Sequence, residues 1–303
     1  MIFATLSDSK YLRYGLTMYH SLRQYSSADF ELHYLCTDDE AYESLVRFNF
    51  QEIRPYRLQD IDSKSFYLLK KNNVRDDGTN PDGHCAFHWA LSSYFTNFIL
   101  HRSKECLYVD SDILFYRDPK LVFDCVKEHS IGLITHKHQS LESNSKSGYY
   151  NVGTVYFKNN EVGIKCSDFW RDMVVDTNNE YSRDYGTCGD QKYLELFGPL
   201  FGQDNIKIID EDIGHGAPWN FPHAEIDKEL KITWDSQFVM KQGKVSQDLV
   251  FNHFSHFNPD YEAGSYKVDR HGEWGNILPN PGIKDVYDNY YDCTFIIKSM
   301  YKI

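Results

Sequence analysis

No excess of positive charge marks this chain: 32 lysines and arginines stand against 44 acidic residues over 303 positions, a net charge of −12. The usual footprint of nucleic-acid binding is a basic stripe, so a nucleic-acid partner is not expected. Docking on an anionic membrane surface is disfavoured for the same reason. There is no Cys-x-x-Cys pair; the seven cysteines are scattered at 36, 85, 106, 125, 166, 188 and 293. An odd count at such spacings suggests neither a disulfide framework nor a zinc site. Reduced thiols in a cytoplasmic protein are the natural expectation. No apolar run approaches the length that crosses a bilayer. Met1-Ile2-Phe3-Ala4-Thr5-Leu6 reads as a strand, not as a charged segment leading into an apolar signal. Repeats, low-complexity tracts and clear linkers are also absent, and the length allows one large α/β domain or two small ones.

What is present is a regular alternation of short strands and helices. Residues 2–6 read as a buried strand, and Leu12, Leu16, Tyr19 and Leu22 then recur at helical spacing. Phe30, Leu32 and Tyr34 alternate as a strand does, Thr37-Asp38-Asp39 offers a helix cap, and Ile53 begins a short extended piece stopped by Pro55. This βαβαβ opening predicts a parallel sheet. Residues 60–84, with Asp76-Asp77-Gly78 and Pro81-Asp82-Gly83, read as a long loop. Phe87, Leu91, Tyr94, Phe95, Phe98 and Ile99 mark one helix face, and Asp118-Pro119 reads as a stop. Strands are expected at 131–135, 154–157 and 206–209, and helices at 162–175 and 190–197. Residues 210–260 mix turns with apolar pieces; Asp210-Glu211-Asp212 reads as a solvated turn. The tail from Pro279 is rich in Tyr and Asp. Aromatic residues make up 16% of the chain, 23 Tyr and 20 Phe among them, enough to fill a core and leave some rings for sugars or a base.

The most informative stretch is Cys106-Leu107-Tyr108-Val109-Asp110-Ser111-Asp112-Ile113-Leu114-Phe115. An apolar run carries two carboxylates, one residue apart, to the expected end of a buried strand. Carboxylates resist burial unless something positive meets them. A divalent cation is the simplest such partner. Residues i and i+2 of a strand share a face, so both acids could address one ion. In open α/β sheets ligands gather at the carboxyl ends of the strands. Read alone, Asp-x-Asp is a weak motif and is more simply a helix cap plus a surface acid at a strand-to-turn junction; the strand before it and Ile113-Leu114-Phe115 after it argue against a surface turn. Phosphatases with a nucleophilic aspartate also place Asp-x-Asp after an apolar strand. They usually do so on the first strand and with Thr or Val where Leu114 stands. A metal held here could hold a diphosphate, which a chain of net negative charge otherwise binds through a few local donors.

Tyr108-Val109-Asp110-Ser111-Asp112-Ile113-Leu114 resembles the metal motif of GT-A-type nucleotide-sugar glycosyltransferases. The likeness is nearest to the retaining group that includes glycogenin and the bacterial lipopolysaccharide galactosyltransferases, and within it to a little-characterised bacterial branch. It extends, in order, over most of the chain. Residues 2–7 are similar to the family's first strand, Trp89-Ala90-Leu91 with Tyr94 to its helix before the metal strand, and Tyr150-Asn151-Val152-Gly153 to its Asn-x-Gly segment. Gly189-Asp190-Gln191 is similar to its Asp-Gln pair, Ala217-Pro218-Trp219-Asn220 to a segment of the bacterial branch, and His253-Phe254-Ser255 to its His-Phe-Ser-Gly motif. His256 stands where that motif has Gly, and Asn258-Pro259-Asp260 replaces a Lys-Pro-Trp.

The resemblance implies a single GT-A-like α/β domain over 1–303, with a mixed, mainly parallel sheet flanked by helices. The nucleotide- and metal-binding half would be 1–115, the donor-sugar and acceptor half 116–278, and a C-terminal extension 279–303. It implies transfer of a hexose from a nucleoside diphosphate sugar, UDP-linked, to a glycan or glycolipid acceptor with retention, in a cytoplasmic protein with room for peripheral contact at the inner membrane face. Mn2+ or Mg2+ would be held by Asp110, Asp112 and His253; for His253 alone, a core histidine between Phe251 and Phe254 is the bland alternative. Asp190, Gln191 and Asn151 would flank the reacting sugar, although Asp190 could simply cap a helix and Asn151 a turn. Thr5, Leu6, Ser7 and Tyr11 would surround the base. Ser111, Trp219, Asn220 and His256 would meet the rest of the donor, with Trp219 and Asn220 equally readable as a structural corner. Lys267, Arg270 and His271 are candidates for the diphosphate charge. Two other classes use the same acids: a metal-dependent phosphohydrolase of nucleotide sugars or sugar phosphates, and a non-catalytic nucleotide-sugar or glycan binder.

Overall fold

The βαβαβ opening folds as its periodicity predicts. In the computed structural model, which describes residues 1–61, 84–137, 147–175, 190–235, 245–268 and 277–303, β1 (Ile2–Ser7), α1 (Leu12–Tyr25), β2 (Glu31–Cys36), α2 (Asp39–Phe48) and β3 (Ile53–Arg57) follow one another. The Asp38 carboxylate caps α2 by accepting Ala41 N–H at 2.8 Å. β3 runs straight through Pro55, where an end was expected. It is an edge strand, paired on one side only, with Pro55 opposite Tyr34, so the missing N–H breaks no inner ladder.

Helix α3 (His84–Leu100) leads into β4 (Glu105–Val109), and β5 (Ile113–Phe115), α4 (Lys120–Val126), β6 (Ile131–Thr135), β7 (Tyr150–Lys158) and α5 (Glu161–Val175) follow. Asp118-Pro119 thus opens a helix. After a 3₁₀ segment (Lys192–Leu196) and the short helix α6 (Phe197–Phe201) comes β8 (Ile206–Ile208). The main sheet has seven strands in the order β3-β2-β1-β4-β7-β6-β8. Only the β4–β7 and β7–β6 pairs are antiparallel, so the sheet is mixed and mainly parallel. The helix expected over 190–197 is instead a turn at Asp190-Gln191 followed by the 3₁₀ segment, with no side-chain cap.

A second sheet arises within 210–260, where the sequence suggested only turns and apolar pieces. Its members are β9 (Gly214–Gly216), β10 (Ala224–Ile226), β11 (Lys231–Trp234) and β12 (Val245–His253), with β5 joining from the first half. β12 is its spine: its first half pairs with β11 and its second with β9 and β5. The hairpin β13 (Asn258–Asp260) and β14 (Ser265–Lys267) follows. The tail forms α7 (Pro281–Tyr301), capped by Asn280, whose Oδ1 accepts Ile283 N–H, with Pro281 at the first helical position. Its buried face is Ile283, Val286, Tyr287, Tyr290, Thr294 and Ile297. At Gly282 an added Cβ would meet the Ile226 carbonyl oxygen at 1.8 Å, so only glycine lets α7 start against β10.

The two sheets are tied by a buried ion pair. Asp210, expected on a solvated turn, is enclosed; it accepts Thr135 N–H and Oγ1–H and lies 2.7 Å from Lys137 Nζ, which sits over the Trp234 ring. Burial opposes ionisation of Asp210, but Lys137 outweighs it and holds the carboxyl below its usual range. Its neighbours Glu211 and Asp212 stay outside and face Lys207.

Candidate active site

β4 ends at Val109, and the chain leaves the main sheet for the second one at β5. Asp110-Ser111-Asp112 is the turn between them, closed by Ile113 N–H donating to Asp110 O at 3.3 Å. The two acids therefore converge through a turn and not through strand alternation, which corrects the geometric expectation while keeping its outcome. His253 comes from 140 positions away because β12 pairs antiparallel with β5, setting His253 against Ile113. Phe254 N–H donates to Asp112 O at 2.9 Å, which fixes the register. His253 Nε2 lies 3.1 Å from Asp112 Oδ1 and 3.6 Å from Asp110 Oδ2. One ligand atom from each of the three lies within 4.8 Å of the others.

The charges of this cluster are interdependent. Burial pulls the His253 pKa down, but Asp112 and Asp110 outweigh it, and the imidazole titrates above its usual range. For Asp112 burial is outweighed by His253, and its carboxyl is held low. Burial, helped by Asp112, raises Asp110. A lone imidazolium offsets one of the two carboxylates; a divalent cation offsets both. Two carboxylates and one imidazole are a donor set for Mn2+ or a similar ion, so the residues fit such a group.

A supporting layer holds these three side chains. Tyr108 OH donates to Asp110 Oδ1 at 2.8 Å; burial, then Asp110, keeps that phenol protonated far above its normal range. On β7, Asn151 Oδ1 accepts Gly153 N–H at 2.9 Å. Asn151 Nδ2 lies 3.1 Å from His136 Nε2, while His136 Nδ1 lies 2.9 Å from the Gly148 carbonyl. A carbonyl can only accept, so Nδ1 carries the proton and Nε2 accepts from Asn151. The Trp219 ring packs edge-on against His253 at 5.1 Å and His136 at 5.5 Å. Asp110, Asp112, His253, Asn151 and Trp219 are thus brought together, with His136 and Tyr108 as partners.

Asp190 is buried. Its carboxylate accepts from Ser92 Oγ on α3, and its carbonyl accepts Trp170 Nε1–H at 2.9 Å. The Tyr108 phenol feels the charges of Asp110, Asp190 and Asp112, which places Asp190 in the same neighbourhood. Gln191 follows in the same turn, and Ser111 is buried between the two acids. Asn220 is fully enclosed: its Oδ1 takes Ala217 N–H and its Nδ2 faces His215 Nε2, the corner reading of that segment. Thr5, Leu6 and Ser7 are also buried, with Ser7 Oγ 2.6 Å from Tyr34 OH, whereas Tyr11, just before α1, is 51% exposed. His256 is exposed and has φ +60°. Phe257 N–H donates to Phe254 O, so His256 is the third residue of a tight turn, where glycine is favoured. The backbone path that a glycine would take is kept despite the imidazole. Gly189, Arg270 and His271 lie outside the described residues, as does most of the expected 60–84 loop. Lys267 lies on β14, in a separate cavity.

His136, Ser92 and the Lys137–Asp210 pair carry no motif of their own. Tyr108, two residues before Asp110 on an emerging strand, is the one supporting residue that spacing could have found.

No protein-family model matches the chain. Two uncharacterised proteins of Bacillus subtilis (strain 168), YfnF and YfnD, are 25% and 24% identical to it over 266 and 264 residues, covering 84% of this chain and 80% and 77% of theirs. Among solved structures, an active-site glutamine-to-glutamate mutant of LgtC superposes with a TM-score of 0.56 at 13% identity, covering 90% of this chain and 92% of that one. The galactosyltransferase LgtC in complex with donor and acceptor sugar analogues gives 0.54 at 14% identity, covering 84% and 87%. Mouse xyloside xylosyltransferase 1 gives 0.54 at 11% identity, covering 84% and 98%. With the mixed seven-stranded sheet and the Asp-Ser-Asp turn at the end of β4, these superpositions show that the chain has the GT-A glycosyltransferase fold.

Proposed function

We propose that this protein transfers a hexose from a UDP-linked sugar to a glycan or glycolipid acceptor, with retention at the anomeric carbon and dependence on Mn2+ or Mg2+. The observation that carries the reading is the meeting of Asp110, Asp112 and His253 within 4.8 Å. The three side chains would hold the ion. When bound, the ion supplies a positive charge against which a leaving diphosphate is stabilised. Tyr108 and the β5–β12 register would fix the directions of the ligands, with Asn151 and His136 beside them.

Positive charge builds on the sugar ring as a glycosidic bond breaks. Asp190 and Gln191 are assigned to face it, their carboxylate and amide oxygens being the groups that favour such charge. That assignment is supported by the LgtC mutant, whose substitution is at an active-site glutamine. Tyr11 would cover the base above the main chain of Thr5, Leu6 and Ser7, and Ser111 and His256 would face the diphosphate. Among the described residues no helix is long and apolar enough to cross a membrane; a cytoplasmic setting with peripheral contact at the inner membrane face goes with a glycolipid acceptor.

The test is a screen of nucleotide sugars with Mn2+ and candidate glycans, with products separated by mass. Sugar appearing on an acceptor, dependent on metal, is the expected result. Free phosphate as the only product would point to hydrolysis and overturn the reading, and metal-dependent binding without turnover would leave only a binder.

A further inference from the structure

A cavity of about 420 Å³ lies between the start of α1, the β13–β14 hairpin and the end of α7, outside the metal cluster. That volume is within the range of small-ligand sites. In a chain of net charge −12, three cations line it: Arg13, Lys267 and Lys298. Among the described residues none of the three is in an ion pair. Arg13 Nε is buried without a hydrogen-bond partner there, an unused donor at the wall. Both Arg13 and Lys298 are held over the Tyr261 ring, at 5.9 and 4.7 Å from its centre. Tyr266 also lines the cavity, its hydroxyl tied to Asp288 at 2.6 Å. Carboxylates of Asp260 and Glu262 also line the cavity, with Asp260 Oδ1 partly used by the turn N–H groups of Glu262 and Ala263.

These surfaces ask for different things of one ligand. Cations in no ion pair want a negative group, the tyrosines at the wall offer ring edges and apolar surface, and carboxylate oxygens accept from hydroxyls. Inorganic phosphate uses only the first, and a neutral sugar leaves the cations idle. We propose that the cavity binds a hexose bearing one anionic substituent, a phosphate or a carboxylate. It is coupled to the candidate active site through one side chain: Arg13 donates to Tyr14 OH at 2.9 Å, and Tyr14 OH donates to Phe257 O at 3.4 Å, in the turn that carries His256. Its use as a subsite for an acidic acceptor glycan rests on the transferase reading; its occupancy does not.

Titration calorimetry on the full chain with glucose 6-phosphate, glucuronate, glucose and inorganic phosphate tests this. Saturable binding of glucose 6-phosphate, glucuronate or both is expected, with glucose and phosphate weaker by about tenfold or more. Which of the two binds identifies phosphate or carboxylate as the anionic group. Arg13→Gln and the exposed Lys298→Gln should each weaken that binding about tenfold, while stabilisation by Mn2+ and UDP persists. No binding of either anionic sugar, glucose binding as tightly, or wild-type affinity in both variants would overturn the proposal. Failure of the transferase reading would show separately, as loss of the Mn2+–UDP response in the unmodified protein.

Discussion

A methyl group placed on Gly153 would lie 2.6 Å from both Asn151 Oδ1 and His253 Nδ1. Neither neighbour can retreat easily, since Asn151 is bonded to His136 and His253 is wedged against Trp219. Gly153→Ala should therefore cost about 1–3 kcal/mol of stability by overpacking and weaken metal binding more than tenfold, measured by melting with and without Mn2+. Asp112→Asn should abolish the thermal stabilisation that Mn2+ with UDP gives; an unchanged shift would remove Asp112 from the site. Asp190→Ala should keep that stabilisation and lower turnover by about 10²-fold or more; wild-type rates would take Asp190 out of the chemistry. At this scale the two candidate acids were legible because carboxylates at an apolar strand end need a reason to be there. Ser92 and His136 were not, because a buried serine or histidine is defined by what the fold places opposite it.

The β4–β5 connection shows what one element can and cannot announce. An apolar run ending in acids is visible in the sequence, but the exit from one sheet into another depends on β12, whose pairing with β5 spans some 140 positions. β3 was cut short at Pro55 because a proline signals an end only where both strand edges are paired. Helix α7 was readable in principle: Ile283, Val286, Tyr287, Tyr290, Thr294 and Ile297 recur at helical spacing behind an Asn280-Pro281 start. Seeing it means counting tyrosine as core, which holds here because Tyr290 stacks on Phe254 at 3.7 Å. That helix backs the turn that follows His253 and carries His256. Asn280→Ala should cost about 1 kcal/mol through the lost cap, read as a lower denaturation midpoint with the Mn2+ response intact.

Across the whole molecule, the fold class with its mixed, mainly parallel sheet was legible in the sequence. The second sheet was not, since its short strands lack a period of their own and are held by contacts such as the Lys137–Asp210 pair. Charge sets a pH dependence for the assembled site. The His253 pKa is raised in the folded, metal-free protein, so the imidazolium's contribution is complete below the ordinary histidine value and fades as pH rises through the raised one. Metal ligation needs the neutral imidazole and runs the other way. The gain in melting temperature on adding Mn2+ should thus grow between about pH 6 and pH 8; a gain independent of pH would exclude His253 as a ligand. The most direct test of the whole account is anomalous scattering from a crystal soaked in Mn2+ and UDP. One manganese peak bounded by Asp110, Asp112 and His253, touching the UDP phosphates, is the predicted result; UDP bound with no peak among those three side chains would contradict it.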